Sequence, residues 1–229
     1  AGLTITGGDA AAAAGGVIGH GLTLVTNCVV VSNRNVGNNY TAGGLIGCTV
    51  FNSTIANNSS TNSGDSGSGG VYFTHAAAVV DSCVVVSNSS KTDGGGIGAK
   101  YNGRKGSIIN STVRWNYAGG GGGAAHFAYA TNSVFEFNSC GTRGGGGIGG
   151  YYGFIYAENC VVVSNTSAAH GGGAYRGAMR SSLVAHNTAG WSGGGGYDLY
   201  GTNLTVRDNV AAASGGGLQW CLAASSVIE

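Results

Sequence analysis

The chain contains no proline, a single methionine and few charges: of 229 residues, only 8% are Asp, Glu, Lys or Arg. Ten basic residues against nine acidic ones leave a formal charge of +1. With no basic stripe to neutralise phosphates, the composition argues against nucleic acid as a partner. There is also no apolar run of the roughly 18 residues that a membrane helix needs; the nearest approach, Ala10 to Ala14, stops at Gly15 and Gly16. No membrane span is expected in this chain. It opens on Ala1 with neither an initiator Met nor a charged-then-apolar leader, and so reads as a processed chain or a piece of a longer one. No CxxC or Cys/His spacing points to zinc, so neither a metal nor a cofactor is expected.

What is abundant is glycine, 47 residues of it, in a chain that is nevertheless 42% hydrophobic. That is too apolar for a disordered Gly-rich linker and too Gly-rich for an ordinary helical domain. The length is sufficient for a real core.

Internal repetition organises these residues. The segment CVVVSN occurs at Cys28–Asn33, Cys83–Asn88 and Cys160–Asn165. In relaxed form it is a seven-residue frame that begins with Asn or Ser and ends with Asn, closing at Asn33, Asn58, Asn88, Asn116, Asn138, Asn165, Asn187 and Asn209. Subtracting neighbours gives steps of 25, 30, 28, 22, 27, 22 and 22 residues. A repeated minimum with a variable excess is the mark of a fixed unit carrying loops of different size. The largest loops fall around Thr61–Ser68 and Lys100–Gly106. A glycine run followed by an apolar residue keeps step with the frame, as in GGLI at Gly43 and GGGL at Gly215.

Inside the frame, Val30, Ile55, Val85, Val113, Phe135, Val162, Val184 and Val206 form an apolar column, flanked by residues such as Thr54, Arg114, Glu136 and Arg207. Period-two alternation of this kind describes a strand with one face buried. The recurring glycine runs would cost a helix about 1 kcal/mol per Gly relative to Ala. With no hairpin signals between copies, each strand is expected to pair in parallel with its own copy one coil later. The predicted fold is all-β: a single right-handed parallel β-helix, or β-solenoid, over 1–229, with about eight to nine coils of 22 or more residues. The terminal asparagines would stack as a structural column, bonding through their amides and adopting the unusual backbone angles of a corner. Glycine runs would make the other corner.

The cadence resembles the repeats of chlamydial-type polymorphic outer-membrane proteins, which pair FxxN with GGA and an aliphatic residue on the passenger of an autotransporter. Here the first element reads FEFN at Phe135–Asn138, with Val for Phe in VRWN, VVSN, VAHN and VRDN; the second reads GGA at Gly172–Ala174, with Leu, Val or Ile elsewhere. The resemblance covers nearly the whole chain. It implies a β-helix secreted or displayed on a bacterial cell surface.

Candidate sites are sparse. The six cysteines read as small core residues, since Cys28 and Cys83 lie two coils and roughly 9.6 Å apart by the ladder spacing, beyond disulfide reach. Arg114 and Glu136 share an outward position one coil apart, which suggests a surface ion pair. His186 and Asp208 share the next position with Trp115 and Phe137, where a His–Asp contact could form. No catalytic residues are assigned. Tyr72, Tyr101, Tyr151, Tyr175 and Tyr197 follow glycine runs: exposed, they form a candidate surface aromatic stripe for stacking on sugar rings; buried, they plug gaps left by Gly and Ala, which is the default reading. The expected role is non-enzymatic, structural or adhesive, on the cell surface or outside the cell. The partners are surface polysaccharide or the protein itself, stacked head to tail into filaments through exposed terminal strand edges. The rival expectation is a carbohydrate-active or sugar-binding β-helix.

Overall fold

The computed structural model describes residues 2–38, 40–61, 64, 67–99, 106–150 and 154–229. Among them every regular element is a strand and every pairing is parallel, and the stack forms a β-solenoid of about eight turns with about 25 residues per turn. Three long ladders build its walls. A 10-stranded frame sheet runs from Thr4–Thr6 to Val227–Ile228, and a 9-stranded narrow sheet of two-residue strands runs from Asp9–Ala10 to Val210–Ala211. The third wall, a 14-stranded broad sheet, carries the longest strands, including Leu45–Phe51, Ala174–Arg180 and Gly196–Thr202.

The frame sheet follows the predicted register. Val30 pairs with Ile55, Ile55 with Val85, Val85 with Val113, Val113 with Phe135, and so on to Val206. All eight of these side chains are fully buried. Their neighbours on either side face outward, as period-two alternation requires.

Beside this apolar column stands the asparagine ladder. The Asn138 Oδ1 accepts from both the backbone N–H and the Nδ2 of Asn116, each at 3.0 Å. The Asn138 Nδ2 in turn donates to Asn165 Oδ1 at 3.0 Å and to the carbonyl of Val113, one coil earlier, at 2.9 Å. The same pattern links Asn33 to Asn58, Asn58 to Asn88 and Asn187 to Asn209. Each amide thus ties three consecutive coils. A second polar column runs where the frame carries Ser or Cys: the Ser53 Oγ accepts from Cys28 N–H and donates to the Phe51 carbonyl, and Ser111 does likewise for Cys83.

One expectation needs correction. The ladder asparagines do not themselves take the unusual backbone angles; the residue before each one does. Ser32, Asn57, Ser87, Trp115, Phe137, Ser164, His186 and Asp208 all have φ between 54° and 57° apart from Asn57 at 53°. The reason is geometric: the ladder Asn must aim inward and along the stack, so the chain reverses one residue earlier. A matching left-handed column, from Asn27 to Ser225, opens each frame. There, Asn or Ser occupies every position, in keeping with their tolerance of this conformation.

The glycine runs form the remaining corner for both reasons anticipated. Gly193 has φ of 68°, while a Cβ on the next residue, Gly194, would lie 2.3 Å from the Gly216 carbonyl oxygen and 2.4 Å from that of Val210. The run therefore lies directly on the backbone of the narrow sheet. Just ahead of the glycine runs the chain forms a second layer: Thr41–Ala42 pairs with Gly67–Ser68, Ala14 bridges Ala42 and Ser192 bridges Ser214, and Ala42 packs with Ile46 and Tyr72 in a small outer cluster.

Candidate functional site

Three residues of the candidate aromatic stripe lie among the described residues. Tyr72, Tyr175 and Tyr197 do share one outward column of the broad sheet, through Gly98, His126 and Gly149. They do not form a surface. Tyr72 is 1% exposed, beneath the second layer, and Tyr175 is 7% exposed, packed against His170 and over Gly144. Tyr197 is half-buried, 5.6 Å from Tyr175 and 4.4 Å from His170 between ring centroids. Tyr101 and Tyr151 lie outside the described residues.

A column of exposed aromatics stands three residues before the frames that open at Asn132, Asn159 and Asn203. In register, Tyr129 pairs with Tyr156, Tyr156 with Ala178, Ala178 with Tyr200, and Tyr200 with Leu222. Tyr129, Tyr156 and Tyr200 are 44%, 57% and 54% exposed. Counting forward from the glycine runs hides this column, because loop lengths vary there; counting back three from the opening Asn or Ser recovers it.

Ala178 is a missing rung in that tyrosine column. Tyr156 and Tyr200 stand two ladder steps apart, about 9.6 Å, over a floor of Ala178. A groove of about 520 Å³ opens there, lined by both tyrosines, Ala178, Glu158, Arg180 and Leu222 among others. Glu158 and Arg180 are register partners in the adjoining outward column. Among the described residues neither joins an ion pair. Two apolar walls, a small floor and two uncommitted charged hydrogen-bonding groups at the rim make a binding slot.

The charged pairs anticipated on the frame sheet are present. Arg114 meets Glu136 at 3.8 Å, and His186 meets Asp208 at 3.7 Å with Arg207 Nη1 2.6 Å from the same carboxylate oxygen. All of these side chains are substantially solvated, and none of them lines the groove. Arg114–Glu136 and Arg207–Asp208 are surface ion pairs, each worth about 0–1 kcal/mol.

Two further features had no clear sequence signal. Trp115 and Phe137 occupy the left-handed column, where most other coils carry Ser, Asn or Asp, yet both are exposed and their rings stack at 4.4 Å and 7°. Holding a bulky residue at positive φ costs about 1–3 kcal/mol, against about 0.5–1.5 kcal/mol returned by one aromatic stack. The pair is therefore a net cost to the fold.

The other is a buried cluster. The Asp93 carboxylate accepts from Gly121 N–H at 2.8 Å and pairs with Arg143 at 2.8 Å, while His126 Nε2 stands 4.0 Å away. Burial lowers the His126 pKa below its ordinary value; attraction to Asp93 opposes this and repulsion from Arg143 reinforces it. Burial likewise pushes the Cys48 and Cys140 thiols up to about 11. All six cysteines are free, four of them buried and Cys28 and Cys221 partly so. Among the described residues no group of three or more His, Cys, Asp or Glu side chains gathers into a metal-binding cluster, and no helix is long and apolar enough to cross a membrane.

The chain matches no protein-family model, no curated protein and no solved structure. The structure supports the parallel β-solenoid, and no comparison supports the likeness to the outer-membrane protein repeats.

Proposed function

We propose that this chain is a non-enzymatic, extracellular or cell-surface β-solenoid that serves as a structural and adhesive rod, gripping polysaccharide through the slot on its broad sheet. The observation that carries this reading is the missing rung. The gap of about 9.6 Å is wide enough to admit one sugar ring between the tyrosines, with van der Waals contacts of about 3.5–4.0 Å on each face. One pyranose ring sits over Ala178 with its faces on Tyr156 and Tyr200, and its hydroxyls reach Glu158 and Arg180. Aromatic walls with a few polar groups at the rim suit a neutral, hydroxyl-rich chain.

Among the described lining residues Glu158 is the single carboxylate, and the role proposed is binding without turnover. Glycoside hydrolysis ordinarily needs a second carboxyl group about 5–9.5 Å from the first.

Retention on insoluble cellulose, chitin, xylan and mannan tests the reading. Wild type should be retained on at least one, and both the Tyr156→Ala/Tyr200→Ala pair and Ala178→Tyr should weaken retention. The second variant adds aromatic surface, so its weaker binding would identify the slot and not mere stickiness. Undiminished retention of Ala178→Tyr would refute the slot, and release of new reducing ends would replace the adhesive reading with an enzymatic one.

A further inference from the structure

The Trp115–Phe137 stack is on a different wall from the slot. It projects from the corner that joins the frame sheet to the narrow sheet, at the left-handed position that precedes the ladder asparagine. We propose that this stack is a second saccharide-binding site, so that one molecule engages two glycan segments and cross-links them. The proposal rests on the polysaccharide reading above for the class of ligand, but on separate residues for the site.

Its grounds are three. First, the fold has no need of these aromatics: the same column works with Ser at positions 32, 87 and 164, and both rings are held at a backbone conformation that bulky residues avoid. Strain of this kind persists where it serves a site. Second, the rings are parallel and one ladder step apart, so their outer faces look along the stack toward the rungs of Ser87 and Ser164, whose small side chains leave both faces uncovered. An open aromatic face bordered by a hydroxyl is what a sugar ring stacks on. Third, the surroundings disfavour other occupants. Arg114 is already paired with Glu136, which leaves little local charge for a phosphate. Two rings flanked by serines also fall far short of the roughly 800 Å² per partner of a stable protein interface.

Tyr117, half exposed and at the start of the adjoining narrow strand, extends the same face. The two sites belong to one rigid ladder, so the second binding event on a long polymer is intramolecular and raises retention by about 10²–10⁴-fold.

Four proteins decide the matter: wild type, the slot variant Tyr156→Ala/Tyr200→Ala, the slot variant carrying Trp115→Ser as well, and a fin variant Trp115→Ser/Phe137→Ser that installs residues the column already tolerates. Each is tested for retention on the insoluble panel and for the turbidity it produces with soluble hydroxyethyl cellulose, glycol chitin and galactomannan. Circular dichroism melts confirm that each variant is folded; the fin variant should melt no lower than wild type. The expected result is turbidity with wild type alone, together with weaker but measurable retention of the slot variant and of the fin variant. In the slot variant, the retained ligand should also shift the tryptophan emission, and Trp115→Ser in that background should remove the shift. A fin variant that binds and clouds like wild type overturns the second site while leaving the slot intact. A slot variant that behaves like wild type while the fin variant loses all retention overturns the slot and the two-site model together, leaving the fin as the sole site. If wild type binds nothing on either panel, both readings fall.

Discussion

Replacing Asn138 with Ala offers the sharpest test of what holds the coils together. Its Oδ1 satisfies the buried backbone N–H of Asn116 at 3.0 Å, and no other partner lies at hand for that donor. Orphaning it costs about 1–3 kcal/mol. The Asn116 Nδ2 keeps its bonds to the Val85 and Arg114 carbonyls, and Asn165 Oδ1 keeps the Asn138 N–H. Those groups therefore lose a bond each without being stranded, for about 1 kcal/mol apiece. The sum is about 4 kcal/mol. At the last ladder position, Asn209 is only partly buried, so water can replace its amide and Asn209→Ala should cost about 1 kcal/mol. A solenoid need not unfold in a single step, so amide hydrogen exchange is the better assay than a global melt. The Asn116 amide should exchange at least 100-fold faster in Asn138→Ala, with little change several coils away. Asn138→Asp sharpens the test: one oxygen can still accept from Asn116, but the other faces the carbonyls of Val113 and Glu136 and the Asn165 Oδ1. It should therefore be as damaging as Ala at pH 7 and recover as the carboxyl protonates in acid. Equal, sub-kcal costs for Asn138→Ala and Asn209→Ala would refute the ladder as a source of stability.

Other outcomes follow from the same geometry. Because burial holds the His126 pKa below 6.5 in the folded state, only the unfolded chain takes up the proton as pH first falls below that value. Stability is unaffected above it and declines toward the folded pKa by up to about 1.4 kcal/mol per pH unit; urea titrations at stepped pH should show a shallower decline in His126→Gln, and an unchanged slope would count against the buried neutral imidazole. Asp93→Ala strands the Gly121 N–H and removes the carboxylate that pairs with Arg143, and should lower stability by about 1–3 kcal/mol, measured by denaturant midpoint. Gly194→Ala drives a methyl into two carbonyl oxygens at 2.3 and 2.4 Å, and should separate the neighbouring coils, seen as lost amide protection at Gly216 and Val210. Native Cys48 and Cys140, buried with thiol pKa values raised to about 11, should resist alkylation at pH 8 while the partly exposed Cys28 reacts; rapid modification of all six would contradict the core assignment.

The frame was legible because its chemistry repeats at fixed offsets. Val113 over Phe135 and Asn116 over Asn138 needed only the recurrence of NxxVxxN, and both contacts stand as read. The left-handed residue was misplaced by one, from Asn116 to Trp115, since the sequence marks an amide at the corner but not which of two neighbours turns the chain. Tyr72 shows a different limit: its outward direction follows from register, but which of the two readings holds, exposed stripe or buried filler, is decided by its packing with Ala14, Ala42 and Ile46 in the second layer. The true exposed column, Tyr129, Tyr156 and Tyr200, was hidden by reference to the wrong landmark.

The sequence alone determined the parallel stack, the buried valine column and the amide ladder, because these are periodic and every coil votes for the same register. Only the tertiary structure decided which outward side chains meet water. Exposure depends on what variable loops cover and on which rung happens to carry an alanine. It also placed His126 beside Asp93 and Arg143, and opened the slot at Ala178. Those are contacts between coils of unequal length, and periodicity carries no information about them.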